Sequence, residues 1–240
     1  MFLCALVLTT NIKLLHRAIG VLGSIVMILG VYATYARGAL VGCVAGLTVM
    51  VAFLLRSPKK YLVLTVLIVS FISIAHVLMP ESLNSRFVNT RTEIGEFDES
   101  TQGRFYYWES ALEIFLKNPM GIGVGQMRGA MESRIGKNVD PHNSFLQTAC
   151  EYGFVGLVVF VAMLVSVLKK AWEIWLDQSL PEIYRAYALG IGGFIGSFVV
   201  SNMFYANFYK DLVMGTVVIY LGMLAFIVAQ VTALKERENQ

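Results

Sequence analysis

Six apolar stretches, at roughly 18–36, 38–55, 61–79, 144–168, 186–206 and 211–231, are each long enough to cross a bilayer core as a helix, which takes about 20 mostly apolar residues. A backbone inside lipid must satisfy its own polar groups, so single spans of this kind are helical. Of the 240 residues, 57% are hydrophobic and 15% charged, and the mean hydropathy is +0.66. A soluble domain cannot hide that much apolar surface. The expected fold is therefore all-α: a polytopic transmembrane helical protein with about six spans and one large extracytoplasmic loop holding short helices. Its expected divisions are N-terminal spans over 1–79, the loop over 80–142, three C-terminal spans over 143–231 and a cytoplasmic tail over 232–240. The segment from Met1 to Thr10 is apolar but too short to span, with no basic region before it and no small-residue cleavage site after it. It reads as the tail of a span whose beginning is absent, and so as the start of the C-terminal part of a larger protein.

Charge sets the expected orientation, because Lys and Arg near the ends of spans are retained on the cytoplasmic side. One orientation places Lys13, Arg17, Arg56, Lys59, Lys60, Lys169, Lys170, Arg185, Lys235 and Arg237 inside, leaving Arg37 and Lys210 in the short outer turns. The opposite orientation inverts that ratio. The loop over 80–142 then faces outward, to the periplasm or the cell exterior. The net charge of +3 hides a division: residues 1–80 carry six basic and no acidic residues, whereas residues 81–140 carry nine acidic and seven basic. No continuous basic face exists for a nucleic-acid partner. Cys4, Cys43 and Cys150 lie in apolar segments without metal or redox spacing and read as buried small hydrophobes. Phe204, Tyr205, Phe208 and Tyr209 fit an outer aromatic belt, with a site role for Tyr205 or Tyr209 as the sharper alternative.

The loop contains ordered segments. Residues 101–117 read as an amphipathic helix resting in the membrane interface, capped by Thr101 and stopped by Asn118-Pro119. Arg104, Trp108, Ala111 and Phe115 share one stripe, and Glu109, Glu113 and Lys117 share the other, spaced to pair. Arg104 is then either a snorkelling arginine or a ligand for a lipid-borne phosphate. Gly121-Ile122-Gly123-Val124-Gly125 follows, which reads as a tight turn or as a phosphate cradle, although the strand that a Rossmann or P-loop requires is absent.

Asp140-Pro141-His142-Asn143 opens the fourth span. Asp140 suits the N-cap and Pro141 the first turn, which puts His142 at a helix N-terminus. The helix dipole there disfavours a protonated imidazole, and a neutral histidine is what a general base requires. On the helical wheel, His142, Ala149, Gly153 and Gly156 share a side whose small residues admit a neighbouring helix. Glu151 falls on the other side, as an intramembrane carboxylate or an interfacial glutamate paired with a neighbour. Spacing alone leaves structural and functional readings of His142 open. Arg37 sits in a tight outer turn against the positive-inside trend, and anion binding is a local reason for it.

His142-Asn143, nine residues, Gly153, two residues and Gly156 resemble the H-N-x9-G-x-x-G signature of the O-antigen ligase family and its Wzy-type polymerase relatives. Ala36-Arg37-Gly38-Ala39 resembles the family's S-R-G-A segment, with Ala36 in place of the small hydroxyl residue. Gly103-Arg104 to Trp108, then Asn118-Pro119 and Gly121 to Gly125, resemble its loop pattern. Members carry about twice as many spans. The resemblance implies glycosyl transfer outside the cytoplasmic membrane, in contact with membrane lipids. The donor is a glycan linked to undecaprenyl diphosphate, and the acceptor is lipid A-core or another glycan. His142, Arg104 and Arg37 are the expected catalytic residues, and Arg37, Arg104, Trp108 and Asn143 the expected substrate-binding ones. His142 accepts or orients the acceptor proton, while the two arginines hold the diphosphate. No cofactor is implied. No metal-ligand cluster is evident in the sequence, so a metal-independent reaction is expected, and attack opposite the diphosphate is expected to invert the anomeric centre. These roles require Arg37, Arg104 and His142 to converge.

Three rivals remain at this level. A protein-directed oligosaccharyltransferase shares the motif. A transporter places polar groups near the midplane, whereas the midspan positions here are apolar apart from glycines and occasional Ser or Thr. The third is a truncated, inactive product.

Overall fold

A computed structural model describes residues 1, 4–5, 14–33, 37–54, 99–204 and 211–238. Among these residues the chain is all helical, as expected: α1 (Leu14–Ala33), α2 (Arg37–Leu54), α3 (Glu99–Lys117), α4 (Met127–Ile135), α5 (Ser144–Leu176), α6 (Glu182–Phe204) and α7 (Asp211–Glu238). Among the described residues four stretches are long and apolar enough to cross a membrane: Leu14–Val31, Ser144–Leu176, Glu182–Phe204 and Gly215–Ala233. Gly38–Leu54 is apolar and shorter, at the lower end of the length a span needs. The span expected at 61–79, the first part of the loop, and Tyr205 and Tyr209 lie outside the described residues.

The chain divides into two compact units, one of Met1–Lys60, Ala162–Ser201 and Phe208–Gln240, the other of Tyr61–Val161 and Asn202–Asn207. In the first unit α2 lies against α6 through glycines on both helices. A methyl group on Gly46 would sit 2.5 Å from the Gly193 carbonyl oxygen, and one on Gly42 would sit 3.0 Å from that of Ser197. Without a hydrophobic drive between helices in lipid, backbone approach of this kind supplies the packing. Met50 and Phe53 fill the space beside Gly193 and Gly192. The Trp175 indole N–H donates to the Phe53 carbonyl at 2.6 Å, and Trp172 meets Phe53 edge-on at 4.7 Å. The Arg185 guanidinium lies over the Trp175 ring and donates to that residue's carbonyl, so the turn between α5 and α6 is fastened at both ends. Phe194 stacks on Tyr220 at 4.0 Å, joining α6 to α7.

In the second unit α3 and α4 pack on the first turns of α5. Ala111, Ile114, Met127, Met131 and Cys150 form the buried core, with Tyr107, Phe115 and Leu146 against it. Burial of side chains the size of Ile114 and the two methionines stabilises by about 1.5–3 kcal/mol each. Cys150 also donates its thiol to the Ala111 carbonyl at 3.1 Å, tying α5 to α3. Cys43 and Cys150 are buried and all three cysteines are free, as the apolar context suggested.

α5 is not one continuous helix. Gly153 has φ 72 and ψ −171, which breaks it into 144–152 and 154–176. The second part is the one that matches a bilayer: its roughly 23 residues rise about 34 Å. The apolar run expected at 144–168 therefore holds two helices, and the span proper begins after the break.

Candidate active site

The break at Gly153 exists because another segment fills it. Past the break the carbonyls of Cys150 and Glu151 have no helical partners, and the loop after α3 supplies them. Ile122 N–H donates to the Cys150 carbonyl at 2.8 Å, Gly123 N–H to that of Glu151 at 3.1 Å, and Phe154 N–H to that of Pro119 at 2.9 Å. The backbones approach so closely that neither side tolerates a Cβ. A methyl group on Gly153 would lie 2.5 Å from the Met120 carbonyl carbon, and one on Gly121, at φ 94, would lie 2.7 Å from the Glu151 carbonyl oxygen. The helix-packing role expected for Gly153 is thus corrected: a strap of loop backbone lies there instead of a helix. The first three amides of the glycine run are not available to cradle a phosphate. The N–H groups of Gly121, Ile122 and Gly123 are already spent, the first on Asn118 and the others on α5.

α4 is set on this strap. The Glu151 carboxylate, 3% exposed, accepts the Met127 N–H at 3.3 Å and the Gln147 side-chain amide at 3.5 Å. A carboxylate at the start of α4 is favourably placed against the helix dipole. Its second oxygen has no hydrogen-bond partner among the described residues. Glu151 is thus a buried anchor for α4. Gly136 closes that helix in the left-handed conformation, its N–H on the Glu132 carbonyl at 2.8 Å.

From α4 the chain turns toward His142. Arg128 grips Asp140 through both carboxylate oxygens, at 3.0 and 2.6 Å, and this pairing raises the arginine pKa above its ordinary value. Asp140 is therefore not the cap of α5. The cap is Asn143, whose Oδ1 accepts the N–H groups of Phe145 at 2.9 Å and Leu146 at 3.1 Å. Pro141 is buried and lies before the helix rather than in its first turn. His142 stands between the clamp and the cap. It is exposed and holds φ 52, a left-handed backbone that a non-glycine residue rarely adopts without being held there. Being outside the helix, it does not share a face with Ala149 and Gly156, and its ring faces Tyr107 of α3 instead. The N–H groups that carry the positive end of the dipole are partly taken by Asn143, so the dipole argument moves from His142 to its neighbour. Beneath the cap, Ser144 Oγ donates to Asn202 Oδ1 at 2.6 Å, both residues fully buried.

The ring of His142 lies 6.2 Å from that of Tyr107, measured between centroids. Lys137 Nζ stands 5.8 Å from the same Tyr107 ring. Arg104 is three residues before Tyr107 on α3, one turn along the helix, and is half-buried. α3 thus carries Arg104 and Trp108 together on one flank of the residue that meets His142. Trp108 is half-buried between Phe105, edge-on at 5.7 Å, and Phe204 at 6.5 Å, and its indole N–H has no acceptor among the described residues. Asn143 is placed beside His142 with its carbonyl oxygen committed to the cap. Arg37 opens α2 in the other unit.

α3 begins at Glu99 and stops as expected, with Asn118 N–H and side-chain amide both on the Ile114 carbonyl at 3.0 Å. Its inward stripe is Ser110, Ala111 and Ile114 with Tyr107 half-buried beside them, rotated from the expected one so that Arg104 and Trp108 lie along one edge of it. Glu113 pairs with Arg134 of α4, not with its helical neighbours. Arg128, Tyr107, Lys137 and Asn202 are the residues sequence reasoning passed over. Only Tyr107 left a readable trace, the spacing of 107, 110, 111 and 114.

The sequence model of the family described as O-antigen ligase matches residues 22–161, more than half of the chain and all of α2 to α4. Comparison with curated proteins and with solved structures gives no match.

Proposed function

The chain belongs to the O-antigen ligase family, and on that premise we propose that it moves a glycan from undecaprenyl diphosphate to lipid A-core on the outer side of the cytoplasmic membrane. In this reaction the bond between the anomeric carbon and the diphosphate oxygen breaks. A bond from the acceptor hydroxyl oxygen to the same carbon forms, and the acceptor proton leaves that oxygen. His142 takes the proton or orients the hydroxyl. Arg104 and Arg37 bind the diphosphate through their planar forks and stabilise its charge as it departs. Attack opposite the leaving group inverts the anomeric centre. Trp108 and Asn143 contact the substrate beside them, and the loop that carries these residues faces outward.

The observation that carries the reading is His142 itself. An exposed histidine, held in a left-handed backbone between the Arg128–Asp140 clamp and the Asn143 cap, lies against the α3 face one turn from Arg104. Surface histidines without a task do not need such a frame.

The test is a deletion of the gene followed by analysis of the surface glycan. Accumulated carrier-linked glycan with bare lipid A-core is the expected result. Single repeat units on the core would assign a polymerase instead, and an unchanged surface with altered protein glycosylation would assign a protein-directed transferase. In a purified transfer assay, His142→Ala retaining full activity, or loss of activity on adding a chelator, would refute the mechanism.

A further inference from the structure

A cavity of about 320 Å³ opens in the second unit, lined by Tyr106, Glu109, Ser110, Glu113, Arg134 and Ile135. By volume it has room for roughly ten waters, enough for one pyranose ring. Residues 106, 109, 110 and 113 recur at helical spacing, so α3 turns one face to the cavity and an adjacent one, with Tyr107, toward His142.

The lining selects its occupant. Arg134 is neutralised by its pair with Glu113, and Glu109 has no ion pair among the described residues, so the cavity carries an excess of one carboxylate. An anion is therefore disfavoured. Ser110 is 3% exposed and lines the cavity. Carboxylate oxygens accept from hydroxyl groups, a serine hydroxyl both donates and accepts, and the exposed Tyr106 ring offers an apolar face. Hydroxyls on an edge and C–H bonds on a face are what a neutral sugar presents. The ring of Tyr106 is 6.3 Å from that of Tyr107, and Tyr107 is 6.2 Å from His142. Those two steps keep the cavity within the reach of a short oligosaccharide whose end lies at His142.

We propose that this cavity is a subsite for an uncharged sugar unit of the glycan, set away from the bond that reacts, and that Glu109 excludes acidic sugars from it. The inference rests on the glycan-transfer reading above. The subsite binds a sugar whether or not transfer follows, so it is tested in the full chain carrying His142→Ala, in lipid nanodiscs, by saturation-transfer NMR with methyl glucoside, methyl N-acetylglucosaminide and methyl glucuronide. The two neutral glycosides receive saturation and the glucuronide does not. Tyr106→Ala weakens the neutral glycosides about fivefold, the size of a lost aromatic contact, while Tyr106→Trp retains them. Glu109→Gln admits the glucuronide. Equal binding of neutral and acidic glycosides, or a Tyr106→Ala variant that binds like its parent, overturns the proposal. If the gene deletion leaves the surface glycan intact while these sugars still bind as described, the transfer reading fails and the subsite stands. If the deletion accumulates carrier-linked glycan and no glycoside binds, the reverse holds.

Discussion

Gly153→Ala tests the architecture behind the site. At φ 72 and ψ −171 the residue occupies a region that is essentially glycine's own, so an alanine there costs about 1–3 kcal/mol in backbone strain alone. The added methyl group also meets main chain, the Met120 carbonyl carbon at 2.5 Å and the Pro119 carbonyl oxygen at 2.7 Å, and main chain cannot swing aside as a side-chain tip can. The strap must lift. Lifting it breaks the bonds from Ile122, Gly123 and Phe154, each with a net value of about 0.5–1.5 kcal/mol. The total is about 3–7 kcal/mol, a large part of the margin that holds a domain folded. Gly125→Ala is the matched control. It has φ 74 but nothing within 4 Å of the added methyl, so strain of about 1 kcal/mol is the whole cost. Both variants, purified in detergent, are read by thermal melting and by amide hydrogen exchange. Gly153→Ala loses protection at residues 122, 123 and 154 and melts well below Gly125→Ala. Equal melting of the two, or undiminished protection at those amides, would refute the strap.

Other consequences are smaller and separable. Arg128→Ala removes the grip on Asp140; because the arginine is largely exposed, the stability cost is below about 1 kcal/mol. Transfer slows more than stability falls, since His142 is the residue released, and equal losses in both would show that the clamp is only structural. Asn143→Ala removes both cap bonds at a cost of about 1 kcal/mol, whereas Asn143→Asp keeps the cap oxygen and the stability. Activity lost in the stable Asp variant would assign Asn143 a substrate contact, and activity retained would assign it the cap alone. His142→Gly relieves the left-handed backbone, so it melts no lower than the parent while losing transfer; a lower melting temperature would mean the ring packs rather than reacts.

The described spans were legible because bilayer thickness fixes their length and the apolar runs match it. α3 and its end were legible because Asn118-Pro119 is a local signal. What failed was non-local. Asp140 and Asn143 are both competent caps by chemistry, and what separates them is Arg128, twelve residues upstream, which takes Asp140 for itself. Gly153 was read on an unbroken helical wheel, and the segment that breaks it lies thirty residues earlier. Glu113 looked matched to Lys117 by spacing, while its partner Arg134 comes from another helix. His142 was found from its motif and its place before the helix. The residue that meets it, Tyr107, sits among four aromatics at 105–108 and is told apart from them only by which face α3 buries.

The strap also imposes an order of assembly. Residues 119–123 leave the ribosome before 150–154 do, and the Ile122 and Gly123 amides and the Pro119 carbonyl have no such partner until the first part of α5 has formed and its end has stopped at Gly153. The His142 frame depends on α4, which depends on Glu151, which lies on that same short helix. Until this short helix has formed, then, the loop has nothing to close on, and the frame around His142 comes into being only when the segment that follows it is in place.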